Sequence, residues 1–404
     1  MKVAIAGGGI GGLMAALALT REDIDVVVFE QAPSLAAIGA SLQLGPNALR
    51  LAGDLGLLPT LREIGVRPDA VQLLRWDDGS LLLDTEMGDA VEQQLGAPQL
   101  DFYRPQLHAT LAAALAAEVL QLGRRVDSVA QDAHGVTVSL SDGGRERADV
   151  AVAADGIRSP IRQQLFGAER PEFSGTVVYR GAAPRSRAEA LHRGQINRYW
   201  LGPQRHGVSY WVSRGALLAV NCAVQDVEWS QESWTLEARS AEALPYFDGW
   251  DESLRARIAA CDQMLRGAVF VRRPLAHWSA GRVTLVGDAA HAMEPFQAQG
   301  AAQAVEDAYV LAQCLARDPD PTAALLAYER IRLGRAGELQ SSSAQAANVF
   351  YLPDGEAQRA RDAAYATLAE RQPFGPRQPI WEYDVRDAVR DAYASARTTT
   401  LPAT

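Results

Sequence analysis

The sequence predicts an α/β fold: a Rossmann-like domain interrupted by an antiparallel β-sheet region and followed by C-terminal helices. Three observations predict it. A short apolar run at the start leads into a glycine-rich turn and a helix-forming stretch. Two later runs of the same kind end in Asp-Gly and Gly-Asp. The intervening segments alternate or carry β-formers, and the last stretch is charged and helix-forming.

The bulk composition agrees. A chain of 404 residues suits two domains better than one core. Its 48% apolar and 22% charged residues are the balance of a globular protein. A net charge of -10 argues against general affinity for nucleic acid or an anionic membrane. No apolar run is long enough to span a bilayer, and a first strand starting at Lys2 or Val3 argues against a signal peptide. Cys222, Cys261 and Cys314 are widely separated and odd in number. They are expected as buried apolar residues in a reducing, cytoplasmic setting, with no disulfide framework and no metal cluster.

The first element is Val3-Ala4-Ile5-Ala6, fit for a buried parallel strand. Gly7, Gly9 and Gly12 follow with G-x-G-x-x-G spacing, and the helix-forming run Leu13 to Leu19 comes next. The first glycine permits the tight turn, the second lets backbone approach a pyrophosphate, and the third lets helix and strand pack closely. A second strand, Asp25 to Phe29, ends in Glu30, where a carboxylate meets a ribose hydroxyl. Glu30 favours FAD or NAD over NADP, whose extra phosphate it would repel.

The run Asp149 to Ala154 enters Asp155-Gly156, and Gly281 to Val286 enters Gly287-Asp288. Each pair alone reads as a turn. Together with the amino-terminal glycines, and in this order, they resemble the aromatic-ring hydroxylase family of flavoprotein monooxygenases. Salicylate hydroxylases and hydroxynicotinate monooxygenases look most similar, from Met1 to about Phe350. The resemblance implies a p-hydroxybenzoate hydroxylase-like fold, with FAD bound non-covalently. It gives Asp155-Gly156 contacts to both FAD and NAD(P)H, and Asp288 the ribityl chain. It gives Arg104, in Tyr103-Arg104-Pro105-Gln106-Leu107, a reach to the flavin side of the cofactor. Hydrogen bonds from polyol hydroxyls to an aspartate, and arginine pairing with pyrophosphate, suit those roles. No second glycine fingerprint follows a strand, as expected where NAD(P)H binds without its own Rossmann domain.

After His291, expected to be structural, comes Ala292 to Gly300. The resemblance lays Pro295 against the isoalloxazine. A helix beginning at Gly300 and Ala301 would aim free N–H groups at the flavin. Ala302 stands where many relatives carry Asn. Some pyridine-hydroxylating relatives place a histidine in the loop that here runs Gly39-Ala40-Ser41-Leu42-Gln43-Leu44-Gly45-Pro46-Asn47, and Gln43 occupies its place. Glutamine hydrogen-bonds but takes no proton at neutral pH.

Val71 to Asp84, Thr176 to Gly181, Gly207 to Val212 and Ala216 to Val224 read as strands. Tyr199, Trp200, Tyr210, Trp211, Trp229 and Trp234 fall in this region and either line a pocket or cover the sheet. Tyr210 matches a pocket tyrosine of the hydroxynicotinate enzymes. Glu294 is a further pocket candidate that would disfavour a carboxylate substrate; a solvated loop position is the alternative. Residues 346 to 395 read as helical and Thr398 to Thr404 as a frayed tail.

The implied organisation is a discontinuous FAD-binding domain of residues 1–70, 101–172 and 281–345. Residues 71–100 and 173–280 form the substrate domain, and 346–404 the C-terminal segment. The implied reaction has NAD(P)H reducing FAD and oxygen adding at C4a to give a hydroperoxide, which hydroxylates a small aromatic or heteroaromatic ring. Gln43, Tyr210 and Pro295 are the residues expected at the reacting ring. NADH or NADPH is the cosubstrate, and the protein is a monomer or homodimer. A dehydrogenase or reductase on the same fold, or a non-catalytic flavin-binding protein, remains open at this point.

Overall fold

The computed structural model describes residues 1–35, 41–225, 229 and 236–398. Gly39, Ala40, Trp234 and the tail beyond Thr398 lie outside the described residues.

The core is a six-stranded sheet in the order Ser279–Ala280, Val283–Leu285, Val150–Ala153, Lys2–Ala6, Asp25–Glu30, Leu120–Leu122. The last five strands run parallel. Their runs VAIA, VVVF and VAVA are buried almost throughout, as a parallel strand covered on both faces requires. Helix Ile10–Arg21 packs on helix Gly300–Arg317, so close that a side-chain carbon on Gly11 would lie 3.3 Å from the Ala304 methyl. A three-stranded meander, Val126–Asp132, Gly135–Leu140 and Arg145–Ala148, shares this core through Val129, Val136 and Val138.

A second sheet has eight strands. Its centre is Glu172–Pro184, Leu217–Gln225, Arg205–Val212 and Ile196–Gly202, paired antiparallel. Ile196–Gly202 pairs parallel with Ala70–Arg75, which turns back into Leu81–Glu86, so the sheet is mixed at that seam. Alternation splits its side chains. Val177, Tyr179, Trp200, Trp211, Val220 and Cys222 face the segment that includes Phe247, Leu254 and Ile258, forming a separate core. Asn197, Tyr199, Val208, Tyr210 and Asn221 take the opposite face, toward the short antiparallel pair Ser41–Leu44 and Leu100–Tyr103.

The charged carboxyl-terminal stretch is helical over Pro321–Phe350, Glu356–Ala366, Gln378–Glu382 and Val385–Thr398. It folds back on the first core through Val385 and Val389. Arg50 fastens it by donating to the carbonyls of Trp381 (2.8 Å) and Tyr383 (2.7 Å). All three cysteines are buried and unbridged. Among the described residues no helix is long and apolar enough to cross a membrane, and no cluster could hold a metal ion.

Candidate active site

Four adjacent parallel strands end on one edge of the first sheet, in the order Val283–Leu285, Val150–Ala153, Lys2–Ala6 and Asp25–Glu30. That brings Gly287-Asp288, Asp155-Gly156, Gly7–Gly12 and Glu30 together, at the edge where open α/β sheets bind ligands.

The glycine turn is built to leave room. Gly7 has φ +102, and a side-chain carbon there would lie 2.4 Å from the Ala154 carbonyl oxygen. At Gly12 the same atom would lie 1.9 Å from the Gly7 oxygen. Gly9 differs: it caps the helix in extended backbone and has nothing within 4 Å of that position. The protein needs no glycine there for itself, so the open space suits a pyrophosphate against the helix start. Glu30 accepts from the Gly8 amide and the Ala32 amide, each at 2.7 Å. Its carboxylate is thereby held beside the turn with lone pairs to spare for a hydroxyl. His108 donates to the Gly8 carbonyl at 2.5 Å.

Both carboxylate oxygens of Asp155 are buried without a hydrogen-bond partner. Burial pushes its pKa up to about 6, with Ser159 pulling weakly the other way. Gly156 has φ +80, and Ser159 then caps helix Pro160–Phe166 by accepting from the Arg162 amide at 2.9 Å. An orphaned buried carboxylate at a strand end is an acceptor awaiting a donor, such as a ligand hydroxyl. Asp288 is accessible to solvent yet crowded by protein, as at the floor of a cleft. That crowding raises its carboxyl above the usual range, and His291 and Arg104 pull it back in part. Arg104 is exposed and makes no hydrogen bond or ion pair among the described residues.

Pro295 is exposed in a short 3-10 turn, and Ala298 at φ +54 directs the chain into helix Gly300–Arg317. No side chain caps that helix, so the N–H groups of its first turn, from Gly300 and Ala301 on, remain available. Ala302 is fully buried. His291 is structural: it is fully buried and donates to Asp307 at 2.6 Å. Asp307 also accepts from the Gly287 amide (2.9 Å) and from Arg332 (2.8 Å). Burial pushes the Asp307 carboxyl up, but His291 and Arg332 outweigh it and hold it below the ordinary value.

Across the cleft stands the sheet face. Tyr210 is buried beside Tyr103, Tyr199 and Val208, and burial raises its phenol far above the usual range. Gln43 is 5% exposed; its amide oxygen accepts from Tyr199 and from Arg377, each at 2.7 Å. Asp101, directly opposite Gln43 in the strand pair, is fully buried and accepts from Asn197 (2.7 Å) and Gln99 (3.0 Å). Burial raises Asp101 to about 7 despite these bonds and Arg377. Asn221 donates to Ser41 at 3.0 Å, tying sheet to loop. Glu294 is half-buried, with its pKa pushed to about 7 by burial.

Of the singled-out aromatic residues, Tyr199 and Tyr210 face the cleft, while Trp200 and Trp211 are core on the far face. Trp229 lies under the Arg266 guanidinium, 5.5 Å away. Sequence reasoning missed Asp101, Asn221, Arg180, His206 and Arg377. Period two from Tyr210 reaches His206 on the same strand face, and register pairing reaches Asn221 and Arg180. Arg180 lies near Tyr210 and Arg104, and burial lowers its pKa to about 10. His206 is buried at the Phe296–Tyr351 cluster, 3.0 Å from the Tyr351 hydroxyl, and burial lowers it to about 3. A separate cavity of about 500 Å3, lined by Arg67, Arg185 and Trp211, lies away from the strand ends; Arg185 there pairs with Glu189.

Comparison with known proteins agrees with this geometry. Residues 1–343 match the family model described as FAD binding domain. The chain is 40% identical to a 3-amino-4-hydroxybenzoate 2-monooxygenase of Streptomyces platensis, over 92% of this chain and 93% of that one. It is 34% identical to a 6-hydroxynicotinate 3-monooxygenase of Pseudomonas fluorescens, over 85% and 90%. Among solved structures it resembles a salicylate hydroxylase substrate complex, with a TM-score of 0.82, 29% identity and coverage of 97% and 98%.

Proposed function

Given that the chain belongs to the FAD binding domain family and is an FAD-dependent aromatic monooxygenase, we propose that it takes electrons from NADH or NADPH and hydroxylates a small aromatic or heteroaromatic ring bearing a hydroxyl or amino group. The observation that carries this reading is the meeting of the strand ends with the sheet face, where Arg104 lies between Asp288 and the Arg180–Tyr210 pair. Strand ends with Gly7, Glu30, Asp155 and Asp288 lie on one side, and a sheet face with Tyr199, Tyr210 and Asn221 on the other. The names of the relatives add that such rings often carry a carboxylate.

The residues divide by task. Gly7, Gly9 and Gly12 leave room for the pyrophosphate, and Glu30 takes the adenosine ribose. Asp288 holds the ribityl chain, and Arg104 pairs with phosphate. Asp155 and Gly156 serve both FAD and NAD(P)H. Pro295 and the helix start at Gly300 and Ala301 meet the flavin, where free N–H groups favour negative charge. FAD, when bound, supplies the redox chemistry and the activation of O2. The protein binds and orients the ring, excludes water, and lets Tyr210 hold or pass a proton at its hydroxyl. Gln43 orients the ring without changing its charge. The proposed division gives residues 1–70, 101–172 and 281–345 to FAD and 71–100 and 173–280 to substrate, with the 346–404 segment after them. A cytoplasmic setting, as monomer or homodimer, is part of the same proposal; the three unbridged thiols suit a reducing compartment.

The test is NAD(P)H oxidation with a panel of hydroxy- and aminobenzoates and hydroxypyridines under labelled O2. A product heavier by one labelled oxygen supports the reading. Substrate-stimulated oxidation with no labelled product would make the protein a reductase.

A further inference from the structure

We propose that Tyr199 selects the substituent on the substrate ring: its hydroxyl, with its own proton committed to Gln43, accepts a hydrogen bond from an O–H or N–H of the substrate. The inference rests on the aromatic-hydroxylation reading above.

The polarity follows from Arg377. A guanidinium only donates, and its Nη1 lies 2.7 Å from the Oε1 of Gln43. The amide must therefore present oxygen, not NH2, in that direction. The Tyr199 hydroxyl lies 2.7 Å from the same oxygen. A carbonyl oxygen has no proton, so Tyr199 supplies the one it has. What it keeps is two lone pairs, one of which Arg377 also approaches, leaving the other for a ligand. Gln43 Nε2 is buried and has no partner, so it does not fill them.

Arg377 is itself held. Its guanidinium lies 5.1 Å from the Trp381 ring and 5.9 Å from the Tyr199 ring, and its second nitrogen reaches Gln99 at 3.4 Å. Burial and the neighbouring Asp101 raise the Tyr199 phenol above its usual range, against the pull of Arg377, so it stays protonated. Tyr199 is only partly buried and shares the cleft face with Tyr210 and Val208. A ring hydroxyl or amino group arriving there finds an acceptor. A methoxy group or phenolate oxygen finds lone pairs facing lone pairs, which leaves both without a partner.

The experiment uses the FAD-loaded enzyme and titrates two probes by their perturbation of the flavin absorbance. One is 3-amino-4-hydroxybenzoate, which has ring donors; the other is 3,4-dimethoxybenzoate, which has none. Wild type is expected to prefer the first by roughly tenfold. Tyr199→Phe should bring that preference to within roughly threefold while the extra bulk of the methyl groups stays the same. Arg377→Met frees the Gln43 amide to turn over and donate to Tyr199, and should also erase the preference, which keeps the test alive if Tyr199→Phe fails to hold FAD. Undiminished discrimination in both variants overturns the role of Tyr199 and leaves the hydroxylase reading standing. If neither these probes nor any of the panel perturbs the wild-type flavin, the hydroxylase reading fails and takes this inference with it.

Discussion

Arg162 donates to the carbonyl oxygen of Ala289 at 3.0 Å, linking the turn after one parallel strand to the turn after its neighbour. The same nitrogen reaches Ala290 at 3.1 Å, and the other holds Glu169 at 3.0 Å. The residue is 1% exposed. Arg162 thus ties the segment that follows Asp155-Gly156 to the segment that follows Gly287-Asp288.

Replacing Arg162 by Met should loosen that tie. Buried carbonyls left without donors cost about 1–3 kcal/mol each. We expect a lower thermal midpoint and weaker FAD retention together. A variant that unfolds earlier yet binds FAD as wild type would separate the two turns and contradict the coupling.

The glycines make a sharper pair. Gly9→Ala should fold as wild type, because its added carbon meets nothing within 4 Å, yet lose FAD affinity. Gly12→Ala should damage the fold itself, since the carbon would lie 1.9 Å from the Gly7 oxygen. Thermal unfolding of the apoproteins and FAD titration read the two effects apart. Normal FAD affinity in Gly9→Ala would remove the pyrophosphate from that turn.

Asp288→Ala should weaken FAD binding roughly tenfold or more, as expected for a lost hydrogen bond to a charged group of about 1.5–3 kcal/mol. The flavin released on denaturation should be FAD. Unchanged FAD affinity would count against the ribityl contact.

Stability should fall in acid through Asp307. Its carboxyl is held below the ordinary 3.8 in the folded protein. Its contribution is therefore complete above that ordinary value and lost as pH drops through the folded one. Arg332→Met removes the buried guanidinium shared by Glu306 and Asp307, leaving Arg335 3.7 Å from Glu306 and His291 on Asp307, at a cost of about 3–5 kcal/mol at neutral pH. Denaturant unfolding followed from pH 7 down to about pH 2 checks both statements; an Arg332→Met protein as stable as wild type at pH 7 would refute the second.

Asp101 has the opposite sign. Its carboxyl is raised from 3.8 to about 7, so the folded state holds a proton that the unfolded state has released, and stability declines as pH rises through that window. Asp101→Asn should gain on wild type between pH 5 and pH 8 in the same unfolding experiment. A constant difference between the two proteins across that range would mean Asp101 does not titrate there.

The cofactor side was legible because its signals are local. Gly7, Gly9 and Gly12 sit within one turn, and each later Asp-Gly or Gly-Asp directly follows its own buried strand. The substrate side was less so. Tyr210 came from resemblance, and strand alternation would have added His206. Arg377 meets Gln43 across 334 positions of sequence, and Asn197 meets Asp101 across 96, and no local pattern carries such pairings. The parallel pairing of Ile196–Gly202 with Ala70–Arg75 was invisible for the same reason, since a strand's own residues do not state which way its neighbour runs.

The FAD-binding match ends at residue 343, yet Arg377, which fixes the polarity of Tyr199, lies beyond it. Arg377, on which the proposed selection by Tyr199 depends, is therefore contributed from outside the stretch that carries Gly7, Glu30, Asp155 and Asp288. On that proposal, a change at the single position Arg377 could retune which ring substituents bind without touching Gly7, Glu30, Asp155 or Asp288.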